Sequence, residues 1–309
     1  QLGIPLVELM NSWDNPSAKA MNTGLPDRLT VWGPQTKRHA VEYMRMPADR
    51  VLEFGAAQFD VYRQPVTETE TELRQLFGVP ADGPVVLYAG VSKGVNETAH
   101  LKEIDAAIAD GRIPPCHVIY RPHPWRGYLV EGEQNFFDIR FRHVSFDPFM
   151  ADFYKRLVVT PQRGFELADY RVTAKLLRLV RGVISPLSTM LLEAAMHGIP
   201  MIMFYPEGGK DIAGRTIDLG KQLPHFGEFW GPEGIQVICD PAEFLSALRS
   251  MLTDHQSPAI SQKLIEHARN YIVMDGPHFA DRLADLADEL CGGMSEARSY
   301  SAGRPALVS

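Results

Sequence analysis

Short apolar runs alternate with segments of helical period along most of this chain. The runs fall at 4–10, 29–32, 51–55, 85–90, 117–121, 183–184, 199–205 and 236–239. Most are too short and too uniformly apolar to be helices, and they read as buried strands. Between or after them, apolar residues recur every three to four positions over 35–46, 68–77, 97–110, 167–180, 241–253, 258–271 and 277–290. Strand, helix and strand in regular succession predict parallel sheets covered by helices. The stretch from Val183 to Tyr205 organises the rest: an apolar run ends at Ser185, Ser188-Thr189 open a short helix, Gly198 closes it, and a second apolar run follows at once. Such a strand–turn–helix–strand unit places hydroxyls and free backbone N–H groups at the positive end of a helix, which suits an anion.

The pattern divides the chain into a partial N-terminal Rossmann-like domain at 1–64, a linker at 65–84, a C-terminal Rossmann-like domain at 85–291 and a disordered tail at 292–309. Three strands are few for a doubly wound domain, and the sequence opens with Gln1 inside an apolar run. The expectation is that the N-terminal sheet is incomplete. Residues 127–165 hold Phe136, Phe137, Phe141, Phe146, Phe149 and Phe153 and read either as strands or as a lid, with these rings mainly in the core.

Composition narrows the function classes. Of 309 residues, 45% are hydrophobic and 22% charged, and the net charge is −7. A general nucleic-acid binder needs a basic footprint, so no nucleic-acid partner is expected. Cys116, Cys239 and Cys291 are far apart and odd in number. They read as reduced thiols in a cytoplasmic protein, and no metal site is expected.

Candidate chemistry sits where apolar runs end, because ligands of open α/β sheets bind beyond the carboxyl ends of strands. After 4–10 come Ser12, Trp13, Asp14 and Asn15, where Asp14 is either a general base or a helix cap. After 85–90 come Ser92, Lys93 and Gly94, a candidate phosphate loop without Walker spacing. After 117–121 comes Arg121-Pro122-His123-Pro124-Trp125-Arg126, an imidazole fixed by two prolines between two guanidinium groups. That arrangement suits a phosphate or a nucleotide base. Glu193, one turn into the central helix, either binds a ligand or complements the helix dipole, and His197 reads as a C-terminal cap.

With these pieces placed, the sequence resembles GT-B-type glycosyltransferases, most closely bacterial surface-polysaccharide transferases such as capsule transferases and the CDP-glycerol glycerophosphotransferase group. Three pieces carry the resemblance: Ser12-Trp13-Asp14-Asn15 with Val31-Trp32-Gly33-Pro34-Gln35 and Phe54-Gly55-Ala56-Ala57-Gln58-Phe59-Asp60; Arg121-Pro122-His123-Pro124; and Ser185-Pro186-Leu187-Ser188-Thr189 with Glu193-Ala194-Ala195 and Gly198-Ile199-Pro200. It implies an α/β fold of two Rossmann-like parallel-sheet domains. It also implies an inverting, metal-independent transferase that moves a sugar from a nucleotide-sugar donor to a surface-glycan or lipid-linked acceptor. No cofactor or metal is implied beyond the donor itself. Asp14 and His123 would be the catalytic residues, and Ser92, Lys93, Arg121, Ser185, Ser188, Thr189 and Glu193 would bind the donor. Location would be cytoplasmic, with peripheral contact at the inner membrane face left open. Alternatives are a CDP-polyol phosphotransferase, a UDP-sugar 2-epimerase and a non-catalytic nucleotide-sugar-binding scaffold. The epimerase reading is weakened because Leu192-Glu193-Ala194 stands where epimerases have Glu-Glu-Ala.

Overall fold

The computed structural model describes residues 4–19, 24–91, 95–124, 129–159, 169–204 and 223–301, with side chains left out at 157–159 and 292–301. The chain forms two compact units, one from residues 1–60 and 270–309 and the other from 61–269.

The first unit is built on a three-stranded parallel sheet of order β1-β2-β3, with β1 at Val7–Leu9, β2 at Arg28–Val31 and β3 at Val51–Glu53. Helix α1, Pro34–Tyr43, follows β2. Leu29, Val31 and Val51 are fully enclosed with Ala40 of α1 and Met46. The run at 4–10 is not the buried strand expected from its apolarity: Ile4, Leu6 and Leu9 are exposed. β1 pairs with β2 alone in the described sheet, so its apolar residues mark an edge rather than a core strand. Residues from 270 onward complete this unit. Asn270 accepts the first-turn amide of Gln35, and Tyr271 stands edge-on to Trp13 at 5.8 Å. A Cβ on Gly33 would lie 2.7 Å from the backbone of Tyr271 and Ile272, so the close approach requires glycine there.

The second unit carries a six-stranded parallel sheet of order β6-β5-β4-β7-β8-β9. Its strands are β4 Val85–Ala89, β5 His117–Arg121, β6 Val144–Phe146, β7 Gly182–Ser185, β8 Met201–Phe204 and β9 Ile235–Ile238. Its longer helices are α2 Glu70–Phe77, α3 Glu97–Ala109, α4 Ala151–Val159, α5 Tyr170–Leu179, α6 Met190–Met196, α7 Phe244–Thr253 and α8 Pro258–Ala268, with a single helical turn at Pro224–Gly227. Tyr88, Tyr120, Ile184 and Ile202 form the floor of its core, with Leu101 and Ile104 of α3 and Leu248 and Met251 of α7 packed on them. In chain order the sheet runs third, second, first, fourth, fifth, sixth. That is the doubly wound Rossmann order, and it reverses between β4 and β7.

Three sequence expectations change. The segment 65–84 holds α2, whose Leu73 and Phe77 bury their side chains and which packs on α5, so it belongs to the second unit rather than forming a free linker. The Phe-rich region supplies β6 and α4; Phe136 and Phe153 join the core while Phe137 and Phe149 remain 42% and 45% exposed. A further helix, α9, spans Phe279–Ser301 and continues past residue 292, against the expectation of a disordered tail. Among the described residues, no helix is long and apolar enough to cross a membrane.

Candidate active site

The reversal between β4 and β7 determines where this sheet can open a crevice, at the carboxyl ends of those strands. Register aligns the ends. Tyr88 of β4 stands opposite both Tyr120 of β5 and Ile184 of β7, so the next residues, Arg121 and Ser185, flank Ala89 at the same level. Three chemistry-bearing side chains predicted from two separate stretches thus share one sheet edge with the start of α6: Arg121, Ser185 and, just beyond, Ser188.

Arg121 is 6% exposed, and its Nε is bound to Asp147 at 2.5 Å. Its Nη1 donates to the Thr173 hydroxyl at 2.9 Å. Nη2 is buried and has no hydrogen-bond partner among the described residues. A guanidinium fixed at two positions with its third donor unsatisfied costs stability unless an acceptor arrives, and a buried orphan of this kind needs a reason. Asp147 follows β6 and was not singled out in the sequence. It sits at the end of a Phe-rich run whose signal is core packing, and its amide bond to the Tyr120 carbonyl extends the strand alignment.

Ser185 and Ser188 are buried, with their hydroxyls 2.8 Å apart. One donates to the other, which leaves the second proton for another acceptor. The expected side-chain capping of α6 does not occur. Thr189 already has helical backbone angles (φ −59°, ψ −21°) and makes no cap bond, while the Ser188 hydroxyl is engaged with Ser185.

Glu193 faces this group from α6. It is 5% exposed, and the Tyr62 hydroxyl donates to its Oε2 in a short hydrogen bond. Burial pushes the Glu193 carboxyl up to about 7, against the opposing pull of the Tyr62 bond and the Arg121 charge. Tyr62 itself is raised far above the usual phenol range, first by burial and then by the neighbouring carboxylate. The Tyr170 phenol is pushed up to about 12 for the same reasons in the same order. His197 is held below the usual imidazole range by burial, partly offset by its bond to the Glu193 carbonyl. A carbonyl only accepts, so Nδ1 carries the proton across that 2.8 Å contact. The Tyr62 ring stands edge-on to His197 at 4.8 Å and to Tyr170 at 6.3 Å. Tyr62, Tyr170 and Thr173 were invisible in the sequence; only their partners carried a strand-end or helix-start signal.

The remaining predicted residues are His123, Ser92, Lys93 and Asp14. His123 lies two residues beyond β5 and is partly buried. Ser92 and Lys93 lie outside the described residues. Asp14 belongs to the first unit, where Ser12 donates to its Oδ1 at 2.5 Å and Lys19 pairs with its Oδ2 at 2.5 Å.

No protein-family model matches the chain, and no curated protein matches it. Solved structures do. A form of the wall teichoic acid polymerase TagF soaked with CDPG aligns with a TM-score of 0.52 at 15% identity, covering 87% of this chain and 58% of that one. TagF itself aligns at 0.52 and 14% identity over 96% of this chain and 67% of that one. A protein from Listeria monocytogenes assigned as a UDP-N-acetylglucosamine 2-epimerase aligns at 0.52 and 14% identity, covering 85% of this chain and 59% of the other. The chain thus spans less than two thirds of the first of these. At such identities the likeness speaks of the fold, and with the two parallel sheets it identifies the chain as a GT-B-like α/β protein with Rossmann-like units.

Proposed function

We propose that the chain is a nucleotide-sugar transferase of the inverting, metal-independent kind, acting on a surface-glycan or lipid-linked acceptor. The observation that carries this reading is the buried, unpartnered Nη2 of Arg121 at the switch point of the second sheet, aligned with Ser185 and electrostatically coupled to Glu193. A cation with an open donor suits a phosphate oxygen, a carboxylate suits a sugar diol, and a nucleotide presents both groups.

In this reading Glu193 accepts from the ribose hydroxyls, while Arg121, Ser185 and Ser188 hold the phosphate. As the glycosidic bond breaks, negative charge grows on the leaving phosphate, and fixed donors in a water-poor site stabilise it without reorganising. His123, Thr189, Ser92 and Lys93 are assigned to the same phosphate. Asp14 is assigned to deprotonating the acceptor hydroxyl. To do so it must release a present partner, and Lys19, 61% exposed, can swing away into solvent.

A second reading, polyol-phosphate transfer from a CDP-polyol, is favoured by the likeness to TagF soaked with CDPG. Calorimetry with CMP, CDP, UDP and GDP tests the nucleotide site, and Arg121→Lys should weaken binding about tenfold or more by losing the forked donor. Absence of binding by all four would overturn the proposal. Product analysis separates the two readings. Sugar transfer releases a nucleoside diphosphate from a UDP- or GDP-linked donor, and polyol-phosphate transfer releases CMP with a phosphodiester product.

A further inference from the structure

Glu193 and Arg121 are the two halves of the proposed nucleotide site, and they are not in the same condition. The guanidinium keeps an unpartnered buried donor. One oxygen of the carboxylate, Oε2, is taken from within the chain, by the hydroxyl of Tyr62. A phenol and a ribose hydroxyl offer a carboxylate the same group, a neutral O–H donor. Tyr62 is also not part of the β4–β9 framework. It is the second residue of the unit, in a short 3-10 segment well before α2 begins. Its ring is half-buried and has edge contacts with Tyr170 and His197 rather than a place in the main core. Glu193 and the Arg121 charge also act on it.

We propose that Tyr62 is an internal competitor for the sugar-binding carboxylate: a nucleoside diol engages both oxygens of Glu193 only by displacing the Tyr62 hydroxyl from Oε2, so this tyrosine sets nucleotide affinity. The proposal rests on the nucleotide site argued above. In this reading the buried acid keeps a donor on Oε2 until a nucleotide supplies one, and binding is tied to a shift of the segment that carries Tyr62.

The test is calorimetry of Tyr62→Phe, which keeps the ring and its edge contacts and deletes only the donor. Probes are CDP and UDP and their 2′,3′-dideoxy counterparts. The variant should bind the better ribonucleotide about tenfold more tightly than the wild type, since no internal bond must break first. A dideoxy nucleotide makes no claim on Glu193, so its affinity should change less than about twofold. Equal or weaker ribonucleotide binding by the variant overturns the competitor, as does an equal gain for both sugar forms. In either case wild-type binding leaves the nucleotide reading standing. If neither protein binds any ribonucleotide, both proposals fall together.

Discussion

Two glutamates of the second unit have the same surroundings on paper and opposite conditions in the fold. Glu97 and Glu193 each sit in the first turn of a helix behind a strand of the six-stranded sheet, and each meets a tyrosine hydroxyl. Glu97 is fully enclosed. Its Oε1 takes the Val91 amide at 2.7 Å, its Oε2 takes the Tyr120 hydroxyl at 2.6 Å, and a Cβ on Gly90 would fall 2.5 Å from it. It fastens the turn after β4 to α3, and its own amide donates to Glu133. Glu193 has a phenol on one oxygen, and the guanidinium coupled to it has an Nη2 with no acceptor among the described residues. The contrast teaches that burial alone does not mark a functional acid. What marks it is burial with donors that a ligand could replace.

The comparison can be broken in four ways. Glu97→Ala should be the most damaging, costing about 3–5 kcal/mol because it strands a buried amide and a buried phenol in a cavity. A shift in the urea midpoint worth under about 1 kcal/mol would show that Glu97 is as dispensable to the fold as Glu193.

The second test uses pH. Folding raises the Glu193 carboxyl from its ordinary 4.5 to about 7, so the folded protein holds a proton that the unfolded chain releases. Stability from this group is therefore full below pH 4.5 and falls as pH rises to 7, by about 3 kcal/mol in all. Urea midpoints at pH 5 and pH 7.5 should show this fall in the wild type, and Glu193→Gln should flatten it. An unchanged slope would mean that Glu193 ionises like an exposed acid.

Third, Gly90→Ala pushes a methyl against the fixed Glu97 carboxylate and should cost about 2 kcal/mol, read by the same midpoints. Smallest is Lys263→Ala, which removes an exposed pair with Glu233 and should leave the midpoint unmoved.

Half of the site was legible because the sequence marks strand ends. Arg121, Ser185 and Ser188 follow apolar runs that must stop at a sheet edge, and Glu193 follows the next helix start. The doubly wound alternation was legible for the same reason. Tyr62 was not, since its partner is 131 residues away and its segment has no period to betray a face. Asp147 was hidden behind phenylalanines that signal a core. The charged surface of α2 outweighed Leu73 and Phe77, the one-turn spacing that in fact buries it. At the other end, apolar Ile4, Leu6 and Leu9 spoke for burial in a strand that lies at an edge. Local pattern records what a segment prefers, whereas membership of a sheet depends on which neighbours arrive.

The order of arrival matters for the first unit in particular. Its sheet and α1 are made early, yet Asn270, which accepts the Gln35 amide, Tyr271 beside Trp13, and Phe279, whose amide donates to Asp60, are made only after the whole second unit. At the ribosome's pace of about 5–20 residues per second, the early half waits roughly ten to forty seconds for its missing neighbours. During synthesis the second unit can finish first, and the N-terminal sheet is then left as the stretch that most needs a chaperone's cover.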